Sequence, residues 1–170
     1  MRLTDYTDYT LRVLMFCALN PDRSVTIAEL AESHVISKNH LMKIVNDLAN
    51  QGVLLTTRGR GGGLKLLKNP ADIYIGDVVR ASETDFRMVE CFDVNHNSCT
   101  LTAQCRLQFV FKRALESYLA ELDKVTLADI TSPLPAPLHP SADTVTRVPL
   151  SALRKSAPPT TPPSGLEIKI

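Results

Sequence analysis

The sequence predicts a mainly α-helical protein with a small β wing, in which a winged helix-turn-helix domain precedes a long dimerisation helix. Two observations predict this class. Most apolar residues before position 131 recur at the three- and four-residue spacing of amphipathic helices. Two short strand patterns also flank a glycine-rich turn, directly after the third helical segment.

The composition excludes several classes of protein. The chain has 170 residues, of which 44% are hydrophobic and 22% are charged, as in ordinary globular domains. No apolar run is long enough to cross a membrane, and the polar start MRLTDYTDYT has no secretory signal pattern. We therefore predict a cytoplasmic protein with no membrane partner. In a reducing cytoplasm its four cysteines are expected to be thiols.

Three helices are predicted in the first 50 residues. Residues 5–19 carry one apolar stripe, which predicts an amphipathic helix. Thr26 and Glu29 form a capping box that opens a second, short helix. After a tight turn, Ser37 caps a third helix over residues 37–50. The predicted buried face of this third helix consists of Leu41, Ile44, Val45 and Leu48.

The outer face of the third helix and the following hairpin are basic. Strands are predicted at 53–57 and 64–67, and the turn between them carries Arg58 and Arg60. A basic helix face is by itself more often only solvated, and a glycine-rich turn alone can hold a phosphate. The order of helix, turn, helix and wing favours double-stranded DNA as the partner. The candidate DNA-binding residues are Ser37, Lys38, Asn39, His40, Lys43, Arg58 and Arg60.

The second half of the chain predicts a short helix at Ile75–Ser82 and a long one at 102–124. The long helix has a heptad-like apolar seam, larger than a wing can cover, which predicts a homodimer. Packing of this seam within its own monomer is the alternative. The seam consists of Leu107, Phe111, Ala114, Tyr118, Leu122 and Val125.

Composition divides the chain into three predicted parts. Residues 1–80 form the winged helix-turn-helix domain, and residues 81–130 form a cysteine loop and the dimerisation helix. Nine of the eleven prolines lie after residue 132. Residues 131–170 are therefore predicted to be a disordered, proline-rich tail, because they lack the apolar pattern that could offset the entropy lost on ordering.

Three of the four cysteines are clustered. Cys91, Cys99 and Cys105 are separated by turn-forming residues, so one flexible loop can bring three sulfurs to one centre. Three thiolates suit an iron–sulfur cluster whose fourth ligand comes from elsewhere. Two alternatives are a zinc site that adds His96 and a disulfide with one free thiol. Cys17 lies on the apolar face of the first helix and is predicted to be a buried structural thiol.

Four side chains are candidates for the fourth ligand. Asp93 and His96 lie within the loop, where such residues are usually solvated. Asp5 and Asp8 lie at the start of the first helix, where a carboxylate also favours the positive end of the helix dipole. That benefit explains Asp5 better than Asp8, which lies almost a turn further in.

Several stretches together carry a family resemblance. They are LTDYTDYTLRVLMF, ISKNHLMKIVNDLANQG, RGRGGGLKL, IGDVV and the three-cysteine loop. In this combination residues 1–130 resemble the NsrR-type nitric-oxide-sensing repressors, members of the winged-helix iron–sulfur regulator family that also includes IscR-type proteins.

The resemblance implies a homodimeric repressor of operator DNA. Its cluster, which we expect to be [4Fe–4S] rather than [2Fe–2S], would be bound by Cys91, Cys99 and Cys105. Asp8 of the opposite subunit would be the fourth ligand. Reaction of the cluster with nitric oxide would lower DNA affinity and release genes for nitric-oxide detoxification.

The chain departs from the family pattern at several places. The first two loop cysteines are eight positions apart, against six in several relatives, and the proline-rich tail is longer than the family's. Gln108 stands where IscR-type proteins have a histidine ligand, which argues against a regulator of iron–sulfur biogenesis. Val35 stands in the turn where the family commonly has glycine, and a β-branched residue would be strained there at positive φ. Two alternatives remain, which are a winged-helix regulator with structural zinc or redox-active thiols and an iron–sulfur-biogenesis or redox regulator of the same family. An enzyme is not expected, because no nucleophile–base set is visible.

Overall fold

The fold is known from a computed structural model that describes residues 2–59, 61–93, 95–101 and 104–132. Within these residues the structure is mainly helical with one two-stranded sheet, as the sequence predicts. The strands are antiparallel, with Leu54 opposite Leu66 and Thr57 opposite Gly63. In chain order the elements are α1 (Asp5–Ala18), α2 (Ile27–His34), α3 (Lys38–Asn50), β1 (Leu54–Thr57), β2 (Gly63–Leu66), α4 (Ile75–Ser82), α5 (Arg106–Leu122) and α6 (Leu127–Thr131).

One hydrophobic core joins α1, α2, α3, the hairpin, α4 and α6. The predicted inner face of α3 lies in this core, where none of its four apolar side chains is more than 5% exposed. Burial of such a side chain contributes about 1.5–3 kcal/mol. The largest fully buried side chains are Leu14, Leu30, Leu41, Ile44 and Leu127.

The helix-turn-helix forms at the predicted caps. The Glu29 N–H donates to Thr26 Oγ1 at 3.2 Å, and the Thr26 N–H donates to the Glu29 carboxylate at 2.7 Å. The helix α2 ends at Val35, whose φ of 55° places it in the left-handed region. Ser37 then caps α3 by accepting the His40 N–H. The turn therefore places a β-branched residue at positive φ, the conformation in which strain is expected for any residue other than glycine.

Replacing Val35 with glycine is expected to raise the free energy of unfolding by about 0.5–1 kcal/mol. The left-handed conformation costs an L-residue about 1–2 kcal/mol, which exceeds the roughly 0.5–1 kcal/mol of extra chain entropy that glycine loses. The Val35 side chain is 94% exposed, so its removal sacrifices almost no packing. Urea denaturation of the metal-free protein measures the change.

The matched control is Leu19→Gly. Leu19 is also an exposed helix C-cap, but its φ is −74°. Glycine there removes no strain and should lower stability. A Val35→Gly variant that is destabilised like the Leu19 variant would show that the turn is not strained.

The segment that follows α5 packs against the winged-helix core through two backbone hydrogen bonds. The Ile75 N–H donates to the Val125 carbonyl at 2.9 Å, and the Leu127 N–H donates to the Ile73 carbonyl at 2.8 Å. A capping box between Thr126 and Asp129 opens α6, which the sequence prediction missed. Thr131 is the last residue of α6, so the predicted tail begins too early. Residues 133–170 of that tail lie outside the described residues.

Helix α5 is anchored to α4 at its C-terminal end and has no fully buried residue. It begins at Arg106 rather than at residue 102, with Cys105 as its N-cap. Arg80 on α4 donates to both oxygens of Asp123, at 2.5 and 2.7 Å, and fixes the end of α5 against α4. No described residue of α5 is buried. None of the described helices is long and apolar enough to cross a membrane.

Candidate nucleic-acid interface and cysteine loop

The outer face of α3 is exposed as predicted. Its amphipathic pattern places Leu41 and Ile44 in the core, so the polar residues of the same helix face solvent. The exposed residues include all five of the predicted set on this segment, which are Ser37, Lys38, Asn39, His40 and Lys43. These side chains offer donors and acceptors of the kind that read base edges and phosphates.

The wing lies directly after this helix in the chain. Arg58 is exposed at the end of β1, whereas Arg60 lies outside the described residues. A Cβ on Gly62 would stand 2.2 Å from the Thr57 carbonyl oxygen, so only glycine fits between the two sides of the turn. The tip is therefore narrow, which suits entry into a DNA groove.

Helix α1 supports α3 from behind. The Tyr6 hydroxyl donates to the Asp47 carboxylate at 2.6 Å. Burial, together with this hydrogen bond and the charge of Asp47, raises the pKa of Tyr6 to about 12. The Lys43 ammonium lies 5.5 Å from the centre of the Tyr6 ring, and the rings of Tyr9 and His40 are 6.4 Å apart. The first helix thus contacts two residues of the candidate DNA-binding set, His40 and Lys43.

The cysteine loop is held by polar bonds between its own residues. Glu90 accepts both the backbone N–H and the hydroxyl of Ser98, each at 2.6 Å. Asp93 accepts the Asn95 N–H at 3.0 Å and also pairs with Arg87. The Asn95 N–H bond is the largest contribution that lowers the pKa of Asp93. Such a loop depends on few core contacts and can rearrange without unfolding the domain.

Gln108 joins this loop to α5. Its side-chain amide donates to the Cys91 carbonyl at 3.0 Å. The residue that replaces the histidine of IscR-type proteins therefore fixes the backbone of a predicted ligand. From the sequence alone Gln108 is notable only as a missing histidine.

The three loop cysteines form no disulfide in this structure and are half-buried. Among the described residues, no three His, Cys, Asp or Glu side chains are grouped closely enough to hold a metal ion. The structure therefore does not bring Cys91, Cys99, Cys105 and a fourth candidate together. By the chemistry of its donors the loop still fits an iron–sulfur cluster, because all three thiols are reduced and accessible.

Cys17 differs from the other cysteines as predicted. Its side chain is only 3% exposed in the core beneath α1. Burial raises the pKa of this thiol to about 11, so it stays protonated and is a poor metal ligand at neutral pH.

The candidates for the fourth ligand have different surroundings. Asp8 pairs with Arg12 at 2.6 Å, and both side chains are 43% exposed. Asp5 pairs with Arg2 at the same distance. The His96 ring is exposed, and its Nδ1 lies 3.1 Å from Asp93. The spacing of Asp8 and Arg12 is that of a helical ion pair, a signal that the sequence already contains.

Sequence reasoning missed one buried carboxylate. Glu83, which follows α4, is 8% exposed and accepts hydrogen bonds from Thr4 and Thr7 at the start of α1. The partners are 79 and 76 positions apart, and no local pattern predicts such a contact.

These features define a winged helix-turn-helix protein with a thiol-bearing loop beside a long open helix. Residues 3–133 match Rrf2, a family described as "Iron-dependent Transcriptional regulator". The chain belongs to the Rrf2 family of transcriptional regulators.

Two named relatives support this assignment. The HTH-type transcriptional regulator NsrR of Bacillus subtilis (strain 168) is 52% identical over 131 residues, which cover 76% of this chain and 90% of the relative. The regulator of the same name from Geobacillus kaustophilus (strain HTA426) is 48% identical over 131 residues, 76% of this chain and 89% of that protein. They confirm the resemblance to NsrR-type regulators and agree with the prediction that the chain is not an enzyme.

Solved structures confirm the winged-helix fold. CymR, the global cysteine regulator of B. subtilis, aligns with a TM-score of 0.62 at 22% identity, covering 78% of this chain and 97% of that one. The T. potens IscR aligns with a TM-score of 0.59 at 24% identity, covering 76% and 85%.

Proposed function

We propose that this chain is a cytoplasmic, homodimeric repressor that binds operator DNA and holds an iron–sulfur cluster on Cys91, Cys99 and Cys105. Nitric oxide would relieve the repression by reacting with that cluster. The observation that carries the proposal is the set of three half-buried cysteines on one loop, none of them in a disulfide, in a chain whose family is described as iron-dependent.

The DNA-binding part of the proposal rests on exposed side chains. Ser37, Lys38, Asn39, His40 and Lys43 share one solvent-exposed segment of a helix whose opposite face is locked in the core. We infer that this helix enters the major groove and that Arg58 and Arg60 on the wing contact the backbone or the minor groove.

The dimer rests on the open face of α5. Leu107, Phe109 and Val110 are 57%, 69% and 59% exposed, and Leu101 just before the helix is 70% exposed. An apolar patch of this kind on a protein surface marks an interaction site. We infer that a second copy of α5 covers this patch. Of the predicted seam, Leu107 belongs to the patch, whereas Leu122 and Val125 pack against the core of their own monomer. Two winged helices in one dimer would read two half-sites about one helical turn apart.

The thiols supply three ligands, and Asp8 of the partner subunit would supply the fourth. When bound, a cluster provides iron that reacts with nitric oxide, and we expect the [4Fe–4S] form. Asp8 must leave Arg12 before it binds iron. That pair is exposed, so breaking it costs only about 0.2–1 kcal/mol. An oxygen ligand exchanges more readily than a thiolate, which would leave one side of the site open to a small molecule.

Replacing Cys91, Cys99 or Cys105 with alanine is expected to abolish cluster retention and leave a folded dimer. The reason is that these side chains lie outside the core, in a loop held by its own polar bonds. The test is purification without oxygen, followed by visible absorption and by iron and zinc analysis. Wild type should be brown and contain iron, whereas the three variants should be colourless.

Cys17→Ala is the matched control and should keep the cluster, with a loss of about 1 kcal/mol or somewhat more of stability from packing.

Asp8→Ala, compared with Asp5→Ala and His96→Ala, tests the fourth ligand by the cluster spectrum and the rate of reaction with nitric oxide. A colourless wild-type protein that contains zinc would overturn the proposal in favour of the zinc alternative. A His96 variant that alone perturbs the spectrum would move the fourth ligand into the loop.

A further inference from the structure

Glu83 lies where the cysteine loop leaves the winged-helix domain. It follows Ser82, the last residue of α4, and the chain from there to Cys105 carries all three loop cysteines. Although Glu83 is charged, only 8% of its surface is exposed. A buried carboxylate requires a compensating set of donors.

Three of the donors come from the N-cap and first turn of α1. The Glu83 Oε2 atom accepts the backbone N–H of Thr4 at 2.9 Å, the Thr4 hydroxyl at 3.1 Å and the Thr7 hydroxyl at 2.9 Å. Burial raises the pKa of Glu83, but the hydrogen bonds from Thr4, Thr7 and the Thr84 backbone outweigh it, so the pKa is lowered overall. A negative charge at this end of α1 also favours the helix dipole. The Glu83 side chain thus connects the start of the cysteine loop to the start of α1.

Helix α1 carries two residues that matter for the proposed function. Asp8 follows Thr7 directly, and Tyr6 hydrogen-bonds to Asp47 on α3. Because the first turn of a helix is rigid once it is capped, the place of Thr4 and Thr7 determines the place of Asp8. If the start of the cysteine loop shifts, it must therefore either move the first turn of α1 or break the hydrogen bonds from Thr4 and Thr7 to Glu83.

We propose that Glu83 is a positioning residue, which fixes the first turn of α1 against the start of the cysteine loop in its own subunit and thereby sets where Asp8 stands toward the iron held by the partner subunit. This inference rests on the proposed function, in which Asp8 is the fourth ligand. We infer that Glu83 itself is not a ligand, because the residue is buried and its Oε2 atom already accepts three hydrogen bonds.

The first test uses Glu83→Gln in the full-length, cluster-free protein. The amide has the same shape and can keep its oxygen at the Oε2 position, but it has no charge, and hydrogen bonds to a neutral acceptor are weaker than those to a carboxylate. Amide hydrogen exchange of residues 4–8 should accelerate about tenfold or more, which corresponds to about 1.4 kcal/mol of local stability. Unchanged exchange would show that the carboxylate does not hold this turn.

The matched control is Glu29→Gln. Glu29 makes the same kind of contact, because it accepts the N–H and the hydroxyl of Thr26 at 2.7 and 2.9 Å. That contact caps α2 and does not involve the cysteine loop. The control should accelerate exchange at the start of α2 and leave residues 4–8 unchanged.

The second test asks whether Glu83 acts through Asp8. The anaerobic visible spectrum and the nitric-oxide reaction rate are measured for wild type, Glu83→Gln, Asp8→Ala and the double variant. Glu83→Gln should change the rate at least threefold alone and should have no further effect when Asp8 is alanine. Equal effects in both backgrounds would overturn the positioning role.

The two proposals fail in different ways. A wild-type protein that retains no iron refutes the proposed function and, with it, any role of Glu83 toward iron. A wild type with a cluster whose spectrum and rate are unaffected by Glu83→Gln refutes only the positioning role.

Discussion

Replacing Leu127 with alanine is expected to lower the free energy of unfolding by about 2–5 kcal/mol. The Leu127 side chain is fully buried in the core, and α6 packs against α1. The measurement is urea denaturation of the full-length, cluster-free protein. The transition midpoint should fall while its slope stays unchanged, because the surface exposed on unfolding is nearly the same.

The size of this effect follows from the shortness of α6. A helix of five residues, Leu127–Thr131, has no stability of its own in water, so its packing must hold it. Leu127 is its one buried residue. The cavity left by alanine would also lie beside the two backbone bonds that join Val125 and Leu127 to the chain at Ile73 and Ile75. Loss of the Leu127 side chain therefore weakens the contacts that attach the segment after α5 to the winged-helix domain.

Ile130→Ala is the control for this prediction. Ile130 belongs to the same helix, but 38% of its surface is exposed. Its truncation should cost at most about 1 kcal/mol. Equal losses for the two variants would mean that α6 is not anchored through Leu127.

The elements that the sequence predicts well are those with a local signal. The buried face of α3 follows from the spacing of its apolar residues, and the caps at Thr26 and Ser37 are visible as residue types at fixed positions. The helix α6 also has a local signal, because Thr126 and Asp129 form a capping box. It was missed because only one of its residues is buried, which is too short a pattern to show periodicity.

The parts that the sequence does not predict depend on distant partners. Glu83 looks like an ordinary polar residue after a helix until the fold brings Thr4 and Thr7 to it. The role of Gln108 at the Cys91 carbonyl is equally hidden. The three cysteines are recognisable from their spacing, but spacing does not determine how a loop of polar residues closes, and the described structure does not group them.

The affinity of the dimer for operator DNA is expected to fall about 10³-fold or more between about 50 and 200 mM salt. A dimer that makes roughly 6–10 phosphate contacts releases a comparable number of counterions when it binds. The exposed cations of one monomer include Lys38, Lys43 and Arg58. Binding of labelled operator DNA and of random DNA at several salt concentrations measures the slope.

Substitutions should separate base reading from backbone contact. Asn39 is exposed in the first turn of α3, and an amide that forms two bonds to adenine contributes about 1–3 kcal/mol of discrimination. Asn39→Ala should therefore weaken operator binding roughly 5- to 150-fold and leave binding to random DNA almost unchanged. Arg58→Ala should weaken both and lower the salt slope by about 1 per monomer.

Lys124→Ala is the control for the loss of one positive charge. Lys124 follows α5 and pairs with Glu121, away from α3 and the wing in the chain. It should change neither affinity nor salt slope by much, since an exposed charge that makes no contact with DNA is screened over about 10 Å at about 0.1 M salt. If Asn39→Ala weakens operator and random DNA equally, Asn39 does not read bases. Sequence preference would then have to come from other residues of the α3 face or from the shape of the DNA.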